Sequence, residues 1–180
     1  MAHLRNFSHD NFTLNGIPIG MSITDFWQFE FSNLVDLLGY VAEFLVAKAL
    51  GKEKPDNCNG WTPYDIKYKG KRIEVKATSY YQTWKQEGKV CNVRRFSIRR
   101  SQRENSDIYV FCLLNGMNSS EANPLLLDNW EFYVVPTWLI DKECGNNKTI
   151  SLSRIRKFDI FGKPINYNNI HNVINNFIEE

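Results

Sequence analysis

The chain has 180 residues, of which 43% are hydrophobic and 23% charged, a composition that suits one domain with a sizeable core. Ten glycines and six prolines exclude a collagen-like or largely disordered chain, and no apolar run is long enough for a membrane-spanning helix. The net charge of +2 is unevenly spread: residues 1–50 carry 2 basic and 5 acidic side chains, residues 51–110 carry 14 and 7, and residues 111–180 carry 6 and 8. A basic middle third admits a polyanionic partner such as nucleic acid. Cys58, Cys91, Cys112 and Cys144 are scattered and form no CxxC pair, so neither a zinc knuckle nor a disulfide framework is indicated. The N-terminal segment lacks the apolar core of a secretory signal, so a cytoplasmic location without a membrane partner is expected.

Residues 1–20 are polar and irregular and read as an N-terminal arm or a short edge strand. Ser22 or Thr24 is placed to cap a helix containing Phe26, Trp27, Phe29 and Phe31. The clearest helix runs from Asn33 to Leu50, where Leu34, Leu37, Leu38, Val41, Leu45 and Ala49 recur at three- and four-residue steps. Gly51 follows in a C-cap position. The period then changes to two. "TPYDIKY" and "RIEVKAT" flank "KGK", a hairpin signal centred on Lys69–Gly70. On the second strand Ile73 and Val75 share one face, and Glu74 and Lys76 share the other.

"VCNVRRFSI" is a further strand candidate, and the apolar "DIYVFCLL" reads as a central buried strand. "WEFYVVP" is another, ended by Pro136, after which Thr137 is expected to cap a short helix. Ile170, Val173, Ile174, Phe177 and Ile178 predict an amphipathic helix within residues 165–180. The order of elements implies a single α/β domain over residues 1–180, a mixed central sheet flanked by helices.

Four residues carry the chemistry. Glu43 lies in the strong helix among Gly39, Val46 and Ala47, a small and apolar setting from which a carboxylate can point across a close helix–sheet contact. Asp65 lies on the first hairpin strand, Glu74 and Lys76 on the second. Clustered carboxylates need a positive partner, and their oxygens suit Mg²⁺ at a phosphate-handling site. Lys76 is placed to position water or to stabilise charge on a phosphoryl group.

The segment "TPYDIKYKGKRIEVKAT" resembles the PD-(D/E)xK nuclease superfamily, with its restriction-endonuclease-like fold. Asp65 matches the first acidic position, and Glu74-Val75-Lys76 matches the ExK element. Pro63 stands two positions before Asp65, so the adjacent Pro-Asp pair is absent. Glu43 in "GYVAEFLVAKALG" is similar to the acidic residue that the first core helix supplies in many members. The resemblance spans residues 33–136. It implies a metal-dependent deoxyribonuclease: Glu43, Asp65, Glu74 and Lys76 catalytic, with Mg²⁺ (or Mn²⁺ as a substitute) held by Asp65, Glu74, Glu43 and the Val75 carbonyl. Restriction, repair, recombination and mobile-element defence all remain open, as does a homodimer or a protein partner. Two alternatives stay beside it: a catalytically silent binding module of the same fold, and a carboxylate-metal hydrolase of a small phosphorylated substrate. Lys67, Lys69, Arg94, Arg95, Arg99, Arg100 and Arg103 are the candidate phosphate contacts along DNA. Tyr80, Tyr81 and Trp84 either stack on bases or pack a loop.

Overall fold

A computed structural model of the chain describes residues 10–30, 35, 37–53, 62–81 and 94–179. His3, His9, Phe31, Leu34, Cys58, Trp61, Gln82, Trp84 and Cys91 lie outside the described residues, as do the start of the expected first core helix and the first part of "VCNVRRFSI".

Of the two expectations for the N-terminal segment, an arm or a short edge strand, the described part takes neither in full: it folds as a two-stranded hairpin, β1 (Asn11–Leu14) and β2 (Ile17–Ser22). Asn15 and Gly16 both take positive φ, 51° and 77°, the backbone of a type I′ turn. Helix α1 (Ile23–Glu30) follows directly. Ser22 caps it: its hydroxyl oxygen accepts from the Asp25 N–H at 3.1 Å, and Asp25 Oδ2 accepts from the Ser22 N–H at 2.6 Å, a reciprocal capping box.

Helix α2 (Leu38–Ala49) begins later than the expected Asn33, with Leu37 as its N-cap, and buries Leu38, Ala42, Leu45 and Val46; Val41 and Ala49 of the expected stripe are only partly buried, and chain reversal occurs at Gly51 with φ 72°. A four-stranded mixed sheet forms the centre, in the order β3 (Ile66–Tyr68), β4 (Lys71–Ser79), β6 (Ile108–Leu114), β7 (Trp130–Pro136). β3 and β4 are antiparallel around Lys69–Gly70, where φ is 45° and 82°. β4 and β6 run parallel, and β6 and β7 antiparallel. All seven residues of β6 are buried, as an interior strand requires.

The sheet separates two cores. Ile73, Val75, Val110 and Cys112 face α2 and α6 (Ile170–Glu179), with Ile170 and Ile174 buried against them. Tyr109, Phe111, Leu113, Tyr133 and Val135 face the other way. That second face is covered by β5 (Arg95–Ser97), α3 (Arg100–Arg103), α4 (Thr137–Cys144), β8 (Thr149–Ser151) and α5 (Leu152–Ile155). β5 and β8 pair only with each other. Thr137 does not cap α4. The N-cap is Pro136, and the buried Thr137 hydroxyl has no hydrogen-bond partner among the described residues. Its N–H is instead taken by the Asp107 carbonyl, which joins the chain before β6 to the start of α4.

The result is a mixed α/β architecture with helices flanking a central sheet. Among the described residues no helix is long and apolar enough to cross a membrane.

Candidate active site

β3 pairs with β4 only along Lys71–Ile73. Among the described residues, β4 is then open on that edge from Glu74 onward, and the four expected residues gather there. Asp65 precedes Ile66, the partner of Ile73, so the register sets it opposite Glu74. Its own N–H still donates to the Ile73 carbonyl at 3.1 Å. Where the strand pairing stops, its side chain substitutes for it: the Val75 N–H donates to Asp65 Oδ2 at 2.7 Å.

Glu74 and Lys76 emerge on the same face of β4, as period two requires, and Lys76 Nζ donates to Glu74 Oε1 at 2.5 Å. The Glu74 side chain is only 4% exposed and that of Lys76 20%. Glu43 approaches from the face covered by α2. Its carboxyl is close enough for Asp65, Glu74 and Lys76 all to act on its charge. Three carboxylates and one ammonium thus share one neighbourhood, supplied by α2, by β4 and by Asp65, which stands one residue before β3 and not on the strand itself.

The electrostatics express the crowding. Burial, then the charge of Asp65, pushes the Glu43 carboxyl from 4.5 up to about 7, opposed by Lys76 and reinforced by Glu74. Asp65 is raised by burial, against the Val75 N–H and Lys76. Glu74 is raised by burial and by Asp65, against its bond to Lys76. One lysine does not offset three desolvated acids, and such a set favours uptake of a proton or a cation.

The donor chemistry, hard carboxylate oxygens, fits Mg²⁺. The side chains themselves are turned to protein donors: Glu74 to Lys76, Asp65 to the Val75 amide. Accordingly, no three His, Cys, Asp or Glu side chains among the described residues are grouped so as to hold a metal ion. Two surface cavities lie away from these residues. One of about 610 Å³ is lined by Ser151, Arg154 and Phe158 among others, and one of about 360 Å³ by Val134, Ile165 and Phe177.

The expected phosphate contacts divide. Arg95, Arg99 and Arg100 are exposed, with Arg100 paired to Glu104 at 2.8 Å. Lys67 is exposed, and Lys69 is exposed with its Nζ donating to Asn175 Oδ1 at 2.8 Å. Arg94 and Arg103 depart from the expected basic surface, because both are buried. Arg94 donates to the Tyr80 carbonyl at 2.9 Å and lies over the Tyr80 ring at 4.5 Å, which gives Tyr80 a packing role. Arg103 donates to Asp141 Oδ1 at 2.7 Å. Arg72, in the middle of the hairpin charge run, is held by both oxygens of Asp107.

One neighbour of the site was not singled out by its sequence. Tyr109 is the β6 partner of Glu74 and is wholly buried on the same face. Burial and the Glu74 charge push its hydroxyl up. The alternation of Tyr109 and Phe111 with Ile108 and Val110 gives its face, but its pairing with Glu74, 35 positions earlier, depends on the parallel register of β4 and β6. No known family model matches the chain, and no curated protein matches it.

Proposed function

We propose that the chain is a metal-dependent deoxyribonuclease of the PD-(D/E)xK type, with Glu43, Asp65, Glu74 and Lys76 as its active site. The observation that carries this reading is the meeting of those four side chains at the open edge of β4. The D…ExK spacing, the helix-borne third acid and the exposed arginines after the site support it further.

Asp65, Glu74 and Glu43, with the Val75 carbonyl, are the oxygens that would hold Mg²⁺. Bound there, the metal would neutralise phosphodiester charge and lower the pKa of an attacking water. Asp65 keeps its carboxylate aimed at the edge through the Val75 amide. Lys76 turns from Glu74 toward the phosphate and the water, where its ammonium orients the nucleophile and stabilises charge on the phosphoryl oxygens. Arg95, Arg99 and Arg100 hold the flanking backbone without reading bases.

The closed Lys76–Glu74 pair favours a second reading, a silent nucleic-acid-binding module in which that ion pair is purely structural. Cleavage assays separate the two. Linear, supercoiled, single-stranded and branched DNA should be incubated with Mg²⁺ or Mn²⁺ and with wild type, Asp65→Ala, Glu74→Ala or Lys76→Ala. The nuclease reading expects cleavage by wild type and loss in each variant. Cleavage untouched by all three changes would sink the proposed site, and an inactive wild type would favour the silent module.

A further inference from the structure

All six basic side chains of residues 111–180 fall within residues 142–163, with only two of the eight acids. Glu143 is 3.6 Å from Arg154, and Arg156 is paired with Glu131 at 2.9 Å. Within this segment Lys142, Lys148, Lys157 and Lys163 are then set against Asp159 alone, and all four are exposed. The segment folds around the surface cavity of about 610 Å³. Ser151, Ser153, Arg154 and Lys157 supply polar lining, with the two serine hydroxyls 3.0 Å apart, and Phe158 and Phe161 supply aromatic lining. These walls are held in place. Asp159 takes a positive φ of 45°, which aspartate tolerates better than most residues, and turns the chain between Phe158 and Phe161. Gly162 then packs so closely on the end of α5 that a Cβ there would stand 2.6 Å from the Ile155 carbonyl oxygen. Phe161 stacks on Phe177 at 5.2 Å and meets Trp138 edge-on at 6.4 Å. Trp138 itself is 60% exposed.

Hydroxyls and cations beside aromatic rings suit a sugar–phosphate and an unstacked base together. The volume lies within the roughly 300–1,000 Å³ of small-ligand sites, so it admits one nucleotide and is too small for a duplex. The approach to it is polar as well. β5 and β8 put Arg95, Ser97, Thr149 and Ser151 on the face opposite the buried Phe96 and Ile150. β5 also lies against β4, on the face of the sheet where Glu74 and Lys76 emerge, so this ribbon joins the candidate active site to the cavity. An acidic protein segment would pair with the lysines, but it would leave the row of hydroxyls from Ser97 to Ser153 without a role.

We propose that this cavity is a second DNA site, which takes an unstacked nucleotide of a single strand, its base on Phe161 and Trp138 and its phosphate on Arg154 and Lys157. It rests on the cleavage reading only for the choice of DNA. Fluorescence anisotropy of a labelled oligothymidylate of about ten nucleotides, with the full chain in EDTA, tests it. Wild type should bind the oligothymidylate more tightly than a duplex of equal length. Trp138→Ala should weaken single-strand binding about tenfold and leave duplex binding unchanged. Arg154→Ala with Lys157→Ala should lower the salt-dependence slope by about 1.4, at ~0.7 for each phosphate contact. Both variants should keep the circular dichroism of wild type, because the replaced side chains are exposed. Single-strand binding equal in wild type and both variants overturns the site, as does an equal loss of single-strand and duplex binding. A wild type that binds no oligothymidylate overturns it too, and an acidic amphipathic peptide then held by the same residues would make the face a protein contact. Oligouridylate bound more tightly than oligothymidylate would overturn the choice of DNA. The two readings fail separately: binding lost in these variants upholds the site even where wild type cuts no DNA, and cleavage can persist where the site fails.

Discussion

Replacing Glu43 with glutamine keeps the shape of the side chain and removes the charge that its neighbours resist. In the folded chain its carboxyl is raised from 4.5 to about 7, by burial first and Asp65 second. A carboxyl that binds its proton more tightly when folded stabilises fully below its unfolded pKa, and that contribution is lost as pH rises through the folded value. The window here is pH 4.5 to 7. At about 1.4 kcal/mol per pH unit the full cost above pH 7 is roughly 3 kcal/mol. Glu43 is only partly enclosed, and solvent screening leaves about half of that. Glu43→Gln should therefore be more stable than wild type by ~1.5 kcal/mol at pH 8, a rise of about 3–6 °C in Tm for a chain of this size. At pH 4.5 the two should match. Urea denaturation at both pH values, without divalent metal, measures the difference directly. A variant equally stable or less stable at pH 8 would refute the idea that Glu43 is held ionised against its surroundings.

Other substitutions test the remaining contacts. Lys76→Met leaves Glu74 buried without its ion pair, and urea midpoints should fall by ~2–3 kcal/mol at pH 7. The loss should shrink as pH falls, because the Glu74 carboxyl, already raised by burial and by Asp65, escapes by protonation. The Arg103–Asp141 pair is asymmetric, with side chains 6% and 56% exposed. Asp141→Ala should then cost ~2–3 kcal/mol in thermal melts, because a buried guanidinium loses its partner, whereas Arg103→Met should cost under ~1 kcal/mol. Arg99→Ala with Arg100→Ala should weaken DNA binding evenly across sequences, lowering the salt-dependence slope by about 1–2.

Much of the fold was legible because local pattern and tertiary role agree. The Lys69–Gly70 turn and the apolar β6 each have a single sterically consistent reading and form as expected, whereas α2 forms in the expected region with its buried stripe turned toward Ala42 and Val46. The N-terminal hairpin was missed although Asn15-Gly16 is a strong turn signal, since Pro18 and Gly20 lower strand propensity around it. β5 falls within the expected "VCNVRRFSI", whereas β8, three residues long, exists only through its pairing with β5, which no local window contains. Half of the site was likewise local: period two joins Glu74 to Lys76, and the turn sets Asp65 opposite them. Glu43 reaches them only through the packing of α2 on the sheet. The burial of Arg94 and Arg103 was illegible for a related reason. Their partners, the Tyr80 carbonyl and Asp141, stand 14 and 38 positions away, and arginine composition by itself indicates surface.

The central claim is that Glu43, Asp65 and Glu74 serve one divalent cation beside Lys76. Electron paramagnetic resonance of a Mn²⁺ titration tests it without requiring a substrate. Wild type should withdraw Mn²⁺ from the free signal at one tight site, and Asp65→Asn or Glu74→Gln should each weaken binding by about tenfold or more, ~1.4 kcal/mol or above per lost ligand. A free Mn²⁺ signal unchanged by wild type, or binding by both variants as tight as that of wild type, would contradict the account.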